Sequence, residues 1–275
     1  MTTVDLTKEL GDALNRESER SVIAQFNGAD PSLVAGELRV VLEAAMTHAP
    51  RSLQTRIGPS ELGIECERCL AHKLAGTTER PEAAWLPTSG TAVHEWCESV
   101  VLRHEHTRYS LGMTGRYLPE CEVTVGQVGG IPITGHTDVF DTHSGTVVDY
   151  KYVGSTTLKA AKGKGVSLQY QRQAHLYGRG WALAGYTVKS VCIWMLPRNG
   201  LTLADGYVWQ APYDESVAVA TLDRADNLAT LIAEQGLQQV LAMLPPHDGS
   251  GFSCKKFPDY LPANLDPKNP FNFTK

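Results

Sequence analysis

Residues 120–152 read ECEVTVGQVGGIPITGHTDVFDTHSGTVVDYKY, and their periodicity decides the fold. Cys121, Val123 and Val125 alternate with Glu122, Thr124 and Gly126, the period of two expected of a half-buried strand. Gly129-Gly130 offers the two-residue turn that folds such a strand back on itself. A second strand then covers 131–140, His143-Ser144-Gly145 turns the chain again, and a third strand covers 146–152. The stretch is a three-stranded meander.

Working outward, the period changes to that of helices. Upstream, Leu38, Val41, Leu42, Ala45 and Met46 share one helical face. Ser60 caps a helix that runs through Leu62, Ile64, Cys69, Leu70 and Leu74 to a stop at Gly76. A third helix starts at Ser89 or Thr91 and runs to about His104, with Ala92, Val93, Trp96, Val100 and Val101 as its buried stripe. Downstream, 154–165 is a loop carrying Lys159, Lys162 and Lys164, followed by a helix over 168–183 that Gly185 ends. A fourth strand spans 188–195, apolar on both faces, and a fifth spans 206–210. One long helix, 214–244, breaks at Gly236 and ends at Pro245-Pro246. Residues 1–30 read as a loose arm, and 246–275, with Pro258, Pro262, Pro267 and Pro270, as an irregular tail. The expectation is one α/β domain over 31–245, its core about 88–212, with a mixed central sheet that opens with the meander and is flanked by helices. Extra N-terminal helices and a long C-terminal helix complete it.

The 275 residues are 42% hydrophobic and 20% charged, an ordinary folded composition that excludes collagen, coiled coil and general disorder. No run approaches the roughly 18 apolar residues of a membrane span. The first fifteen residues lack an apolar signal core, so a cytoplasmic location with reduced cysteines is expected. Twenty-five basic against 30 acidic residues give a net charge of −5. A nucleic-acid partner would therefore be held by a local patch or by metal ions, not by the global field.

Chemistry concentrates in Gly135-His136-Thr137-Asp138 and Asp149-Tyr150-Lys151. Residues two apart on a strand share a face, so Asp149 and Lys151 point together into one cleft. The hairpin between the second and third strands lets Asp138 lie beside Asp149, and two neighbouring carboxylates repel unless a cation separates them. Oxygen donors so placed suit Mg²⁺ or Mn²⁺, and Lys151 adds an ammonium able to orient a water or stabilise charge on a phosphoryl group. His94, with Glu98 on the same helical face, is placed to add a nitrogen ligand. Gln169, Gln173 and Tyr177 form an i, i+4, i+8 stripe on the helix after the meander.

These residues, in this order, resemble a family. Gly90-Thr91-Ala92-Val93-His94, Gly135-His136-Thr137-Asp138, Asp149-Tyr150-Lys151 and Gln173-Ala174-His175-Leu176-Tyr177 are similar to the successive motifs of the RecB-like branch of the PD-(D/E)XK nuclease superfamily. Within that branch they are most like CRISPR-associated-type exonucleases and their bacteriophage relatives. The resemblance covers about 60–210 and implies a restriction-endonuclease-like core. It also implies a Mg²⁺- or Mn²⁺-dependent exonuclease that hydrolyses DNA, single-stranded or at duplex ends, with a metal-activated water, in recombination, repair or phage replication. By the same resemblance His94, Asp138, Asp149 and the backbone carbonyl of Tyr150 ligate the metal and Lys151 acts on the water. Gln173 and Tyr177 position Lys151 or the DNA strand.

Relatives with an iron–sulfur cluster place a first cysteine near Cys66 and Cys69 and three more near the C-terminus, where this chain has only Cys254. Three thiols leave the four-thiolate set incomplete, so a cluster needs a fourth ligand that the sequence does not identify. Cys97, Cys121 and Cys192 are expected as buried thiols. Lys159, Lys162 and Lys164 are candidates for tracking a DNA backbone, or form a solvated loop. Two other functions compete: a DNA-binding or recombination accessory protein that keeps the fold with little catalysis, which the complete Asp138, Asp149 and Lys151 set disfavours, and a glycoside hydrolase using the paired carboxylates, which leaves Lys151 without a role.

Overall fold

The computed structural model describes residues 31–47, 57–79, 85–247 and 254–260. Residues 31–47 and 85–89 belong to one compact unit and the remaining described residues to a second. The loose arm expected over 1–30 and most of the expected tail lie outside the described residues. In the first unit α1 (Pro31–Thr47) is the helix its periodicity predicts, although Leu38, Val41 and Leu42 on its apolar face are exposed.

The second unit is α/β, a five-stranded mixed sheet flanked by helices. Its helices begin with α2 (Pro59–Leu62) and α3 (Glu67–Leu74), where the sequence predicts one continuous helix. Pro59 occupies the first turn behind Gly58, whose N–H donates to the Glu61 carboxylate. The break follows from close approach: a Cβ on Gly63 would lie 2.5 Å from the Gln169 carbonyl oxygen. Arg224 donates to the Ile64 carbonyl and pairs with Glu67 at 2.5 Å, so side chains take up what the interrupted helix leaves open.

α4 spans Trp85–Ser110, longer at both ends than predicted. Its packed stripe is Val93, Cys97 and Val101, set against Val139, Tyr150 and Leu196. Trp96 and Val100 are exposed, because the helix carries more apolar residues than its one packed face holds.

The strands are β1 (Tyr117–Val128), β2 (Ile131–Asp141), β3 (Thr146–Val153), β4 (Ser190–Pro197) and β5 (Tyr207–Pro212), in sheet order β1-β2-β3-β4-β5. All neighbours are antiparallel except β3 and β4. That parallel pair needs a crossover, made of α5 (Ser155–Lys164) and α6 (Leu168–Leu183). β4 lies inside the sheet and buries Val191, Ile193 and Met195 almost completely, as its apolar run requires. α6, capped by Ser167 accepting from the Tyr170 N–H, packs Trp181 flat on Phe140 with centroids 4.4 Å apart.

α5 corrects the loop expected over 154–165. Leu158 and Ala161 are buried one turn apart, enough to dock a short helix that the flanking glycines and lysines obscure in the sequence. α7 (Glu215–Gln235) and α8 (Leu237–Met243) are the long helix, broken at Gly236 with φ 80°. Of the expected irregular tail, 246–247 and 254–260 are described, and the regular structure there is a 3-10 turn over Cys254–Lys256. Cys254 and Phe257 are fully buried with Ile64, Cys66 and Cys69 in a second small core.

Candidate active site at the fork of β2 and β3

The β2–β3 ladder pairs Asp141 with Thr146, Phe140 with Val147 and Val139 with Val148, and then stops. Asp138 and Asp149 are the next residues in that register, at the point where the strands part. The Tyr150 N–H donates to Asp138 Oδ2 instead of to a strand carbonyl. A side chain has entered the ladder, and both carboxylates are buried, Asp138 at 7% and Asp149 at 3% exposure.

Helices on either side complete the fork. From α4, His94 Nδ1 lies 2.7 Å from Asp138 Oδ1. From α6, Gln173 Nε2 donates to Asp149 Oδ1 at 2.9 Å. Lys151 Nζ lies 2.5 Å from Asp149 Oδ2 and 5.1 Å from the centre of the Tyr170 ring. Asp138, Asp149, Lys151, His94 and Gln173 therefore meet in one place. Tyr177 is buried elsewhere on α6, its ring against Gly135, where a Cβ would come within 3.2 Å of it.

Burial pushes the Asp149 carboxyl up, to about 6; Lys151 opposes this and the Asp138 charge adds to it. Burial alone would pull Lys151 down, but the Asp149 and Asp138 charges outweigh it and hold the ammonium above its usual range. His94 follows the same logic. Burial lowers its affinity for a proton, and the hydrogen bond and charge of Asp138 raise it by more.

Glu120 belongs to the site and the sequence reading missed it. It stands between the pairs Pro119–Val139 and Cys121–Thr137, directly across from Asp138, with φ 47°, a left-handed backbone that is strained for a residue with a side chain. Its carboxylate, that of Asp138 and a ring nitrogen of His94 lie within 4.8 Å of one another. Tyr170 was missed as well. Glu120 was legible only as a polar residue at the start of the alternation, opposite the Asp138 position.

The donor set fits a hard divalent ion. Three adjacent strands place Glu120, Asp138 and Asp149 in neighbouring register positions, and like charges opposed across strands destabilise a sheet without a counter-ion. Asp149 Oδ2 is buried and accepts no hydrogen bond of good geometry; the nearby cation is Lys151. Oxygen donors with one imidazole suit Mg²⁺ or Mn²⁺.

The other candidates separate. Lys162 Nζ donates to the Asp205 carbonyl at 2.7 Å, while Lys159 and Lys164 project from exposed positions of α5. Cys97, Cys121 and Cys192 are half-buried, less enclosed than expected. Cys66, Cys69 and Cys254 converge, and His247 joins them, with its Nδ1 3.4 Å from Cys69 Sγ and 3.6 Å from Cys66 Sγ. Its signal in the sequence was its place seven residues before Cys254, which together with Cys66-x-x-Cys69 makes a metal-ligand spacing.

No protein-family model and no curated protein matches the chain. Among solved structures it is similar to an alkaline exonuclease (LHK-Exo) from Laribacter hongkongensis, at 12% identity and a TM-score of 0.44 over 74% of this chain and 97% of that one. It is similar to SSO0001 at 17% identity and a TM-score of 0.41, over 74% and 93%. A phage-related exonuclease from Haemophilus somnus 129PT aligns at 12% identity and a TM-score of 0.36, over 68% and 96%. Among the described residues no helix is long and apolar enough to cross a membrane.

Proposed function

We propose that the chain is a metal-dependent deoxyribonuclease of the RecB-like PD-(D/E)XK type, an exonuclease acting on single strands or duplex ends. The observation that carries this reading is the fork itself: Glu120, Asp138 and Asp149 on three adjacent strands, with Lys151 ion-paired to Asp149 and His94 to Asp138. Asp138, Asp149, Glu120 and His94 would hold Mg²⁺ or Mn²⁺, with the Tyr150 carbonyl as a further ligand carried over from the sequence resemblance. An ion there supplies a Lewis acid to a phosphoryl oxygen and a water of lowered pKa.

The remaining roles fall to the side chains. His94 Nδ1 and Asp138 Oδ1, 2.7 Å apart, would both turn to the ion. Lys151, whose ammonium lies against Asp149, stands where it would orient the nucleophile and stabilise charge growing on the phosphoryl oxygens. Tyr170 beneath the ammonium and Gln173 on the far oxygen of Asp149 fix the geometry of that pair. Tyr177 acts through packing at Gly135.

The test is cleavage of end-labelled linear and closed circular DNA with and without Mn²⁺, beside Asp149→Ala and Lys151→Ala. Loss of linear DNA only with metal, falling by about 10²–10³-fold in either variant, is expected. An Asp149→Ala protein with full activity would overturn the site. Binding of DNA without cleavage in any divalent metal would favour the accessory role instead.

A further inference from the structure

We propose that Cys66, Cys69, His247 and Cys254 form a closed tetrahedral site for one zinc ion that ties α3 to the segment after α8. The four donor atoms all lie within 4.8 Å of one another. Cys69 Sγ is 3.4 Å from Cys254 Sγ and 3.4 Å from His247 Nδ1, and Cys66 Sγ is 3.6 Å from the same nitrogen. Metal–sulfur bonds of about 2.3 Å and a metal–nitrogen bond of about 2.0 Å put the edges of a tetrahedron at about 3.5–3.8 Å. The cluster already has the size of a single-ion shell.

Those distances also decide against the iron–sulfur cluster that the family resemblance allows. A cluster interposes iron and sulfide between its cysteines and holds their sulfurs well apart, usually with four thiolates. Here all four donor atoms lie within 4.8 Å of one another, too close to admit iron and sulfide between them, and the fourth donor is an imidazole. The residues do not fit a cluster, and they do fit a mononuclear site of three thiolates and one nitrogen. Four protein donors leave no open position, so the site is structural and not catalytic.

Its surroundings are built as a metal site requires. His247 Nε2 lies 2.9 Å from Asp259 Oδ1, the carboxylate contact that fixes the tautomer and turns Nδ1 to the sulfurs. The same oxygen lies 2.8 Å from His72 Nε2, and Arg68 Nε stands 3.5 Å from Asp259 Oδ2. Phe257 stacks on the His72 ring at 4.6 Å and lies within 8° of parallel to His247. Cys66 is the N-cap of α3 and Cys69 lies in its first turn, so one helix holds two of the four donors. The anchored helix is itself tied to α8 by Arg68, which donates to the Leu241 carbonyl at 2.7 Å.

The test is elemental analysis of the full chain with assay of acid-labile sulfide and a visible spectrum, followed by substitution with Co²⁺. One zinc per chain, no sulfide, a colourless protein, and a cobalt form with the ligand-field and thiolate charge-transfer bands of a tetrahedral site are expected. His247→Cys keeps four donors and should retain the ion with a shifted cobalt spectrum. His247→Gln should release zinc to a chelator at least about ten-fold faster. Iron with stoichiometric sulfide would overturn the proposal. So would a metal-free protein whose melting temperature is unmoved by zinc or chelator, or a His247→Gln protein that holds zinc as firmly as the parent.

Discussion

Gln173 holds the oxygen of Asp149 that Lys151 does not reach, and it does so from a helix. Truncating it leaves Asp149 Oδ1 buried without a donor, so Gln173→Ala is expected to raise the Mn²⁺ concentration for half-maximal cleavage by about 10–100-fold. A Mn²⁺ titration that did not move would show Gln173 to be packing alone. Asp141, three residues beyond Asp138, makes a prediction of a different kind. Arg116, Ser144 and the His143 N–H hold its carboxyl down, from 3.8 to about 2. A depressed carboxylate contributes stability above its unfolded pKa, and loses it as pH falls through the folded value, because only the unfolded chain takes up the proton in between. Arg116 is partly exposed and screened, so about 1 kcal/mol is at stake. Urea midpoints should place Asp141→Asn below the parent by that amount at pH 6 and level with it near pH 2. Legibility divides the same way among residues. Asp138, Asp149 and Lys151 could be read because a period of two fixes the face. Glu120 depends on a φ of 47°, and Tyr170 on the direction of one lysine side chain, neither of which local pattern encodes.

Among elements, those whose signals agree were readable to within a residue or two. The helix over 168–183 has a serine cap, an apolar stripe and a glycine just beyond its end, and α6 has those bounds. The meander has alternation and two glycine turns. α5 was misread because its docking rests on Leu158 and Ala161 alone, with glycines at both ends. The break between α2 and α3 was hidden for another reason, since its cause, Gly63 against the Gln169 carbonyl, lies more than a hundred residues away in sequence. That contact is testable. α6 carries Gln173, and it approaches the α2–α3 corner where Gln169 Nε2 donates to the Ser60 carbonyl and Arg172 to that of Gly63. The obstacle to a Cβ is backbone, which cannot swing aside, so Gly63→Ala should cost about 1–3 kcal/mol in urea unfolding. It should also lower kcat by displacing Gln173. Unchanged stability would mean that the corner is soft.

At the scale of the whole molecule the charge sets the problem. A chain at −5 repels a polyanion from a distance, and under the proposed function three of its carboxylates stand in the fork where a phosphate would come to rest. Attraction has to be local, and every phosphate contact leaves a countable mark, because each one releases counterions and steepens the fall of affinity with salt by about 0.7–0.9 in the log–log slope. α5 offers three lysines in one turn and a half of sequence, and composition treats them alike. Their surroundings do not. Lys162 already donates to the Asp205 carbonyl, whereas Lys159 and Lys164 stand exposed. In the cleavage-dead Asp149→Ala background, single-stranded DNA binding measured from 50 to 300 mM salt should lose about 0.7 from its slope in Lys159→Ala and again in Lys164→Ala. Lys162→Ala should leave the slope where it was. Equal losses from all three would mean that the Asp205 contact yields to DNA and that α5 acts as an undifferentiated basic patch. No loss from any would place the strand on another face and leave α5 as a crossover helix with a solvated exterior.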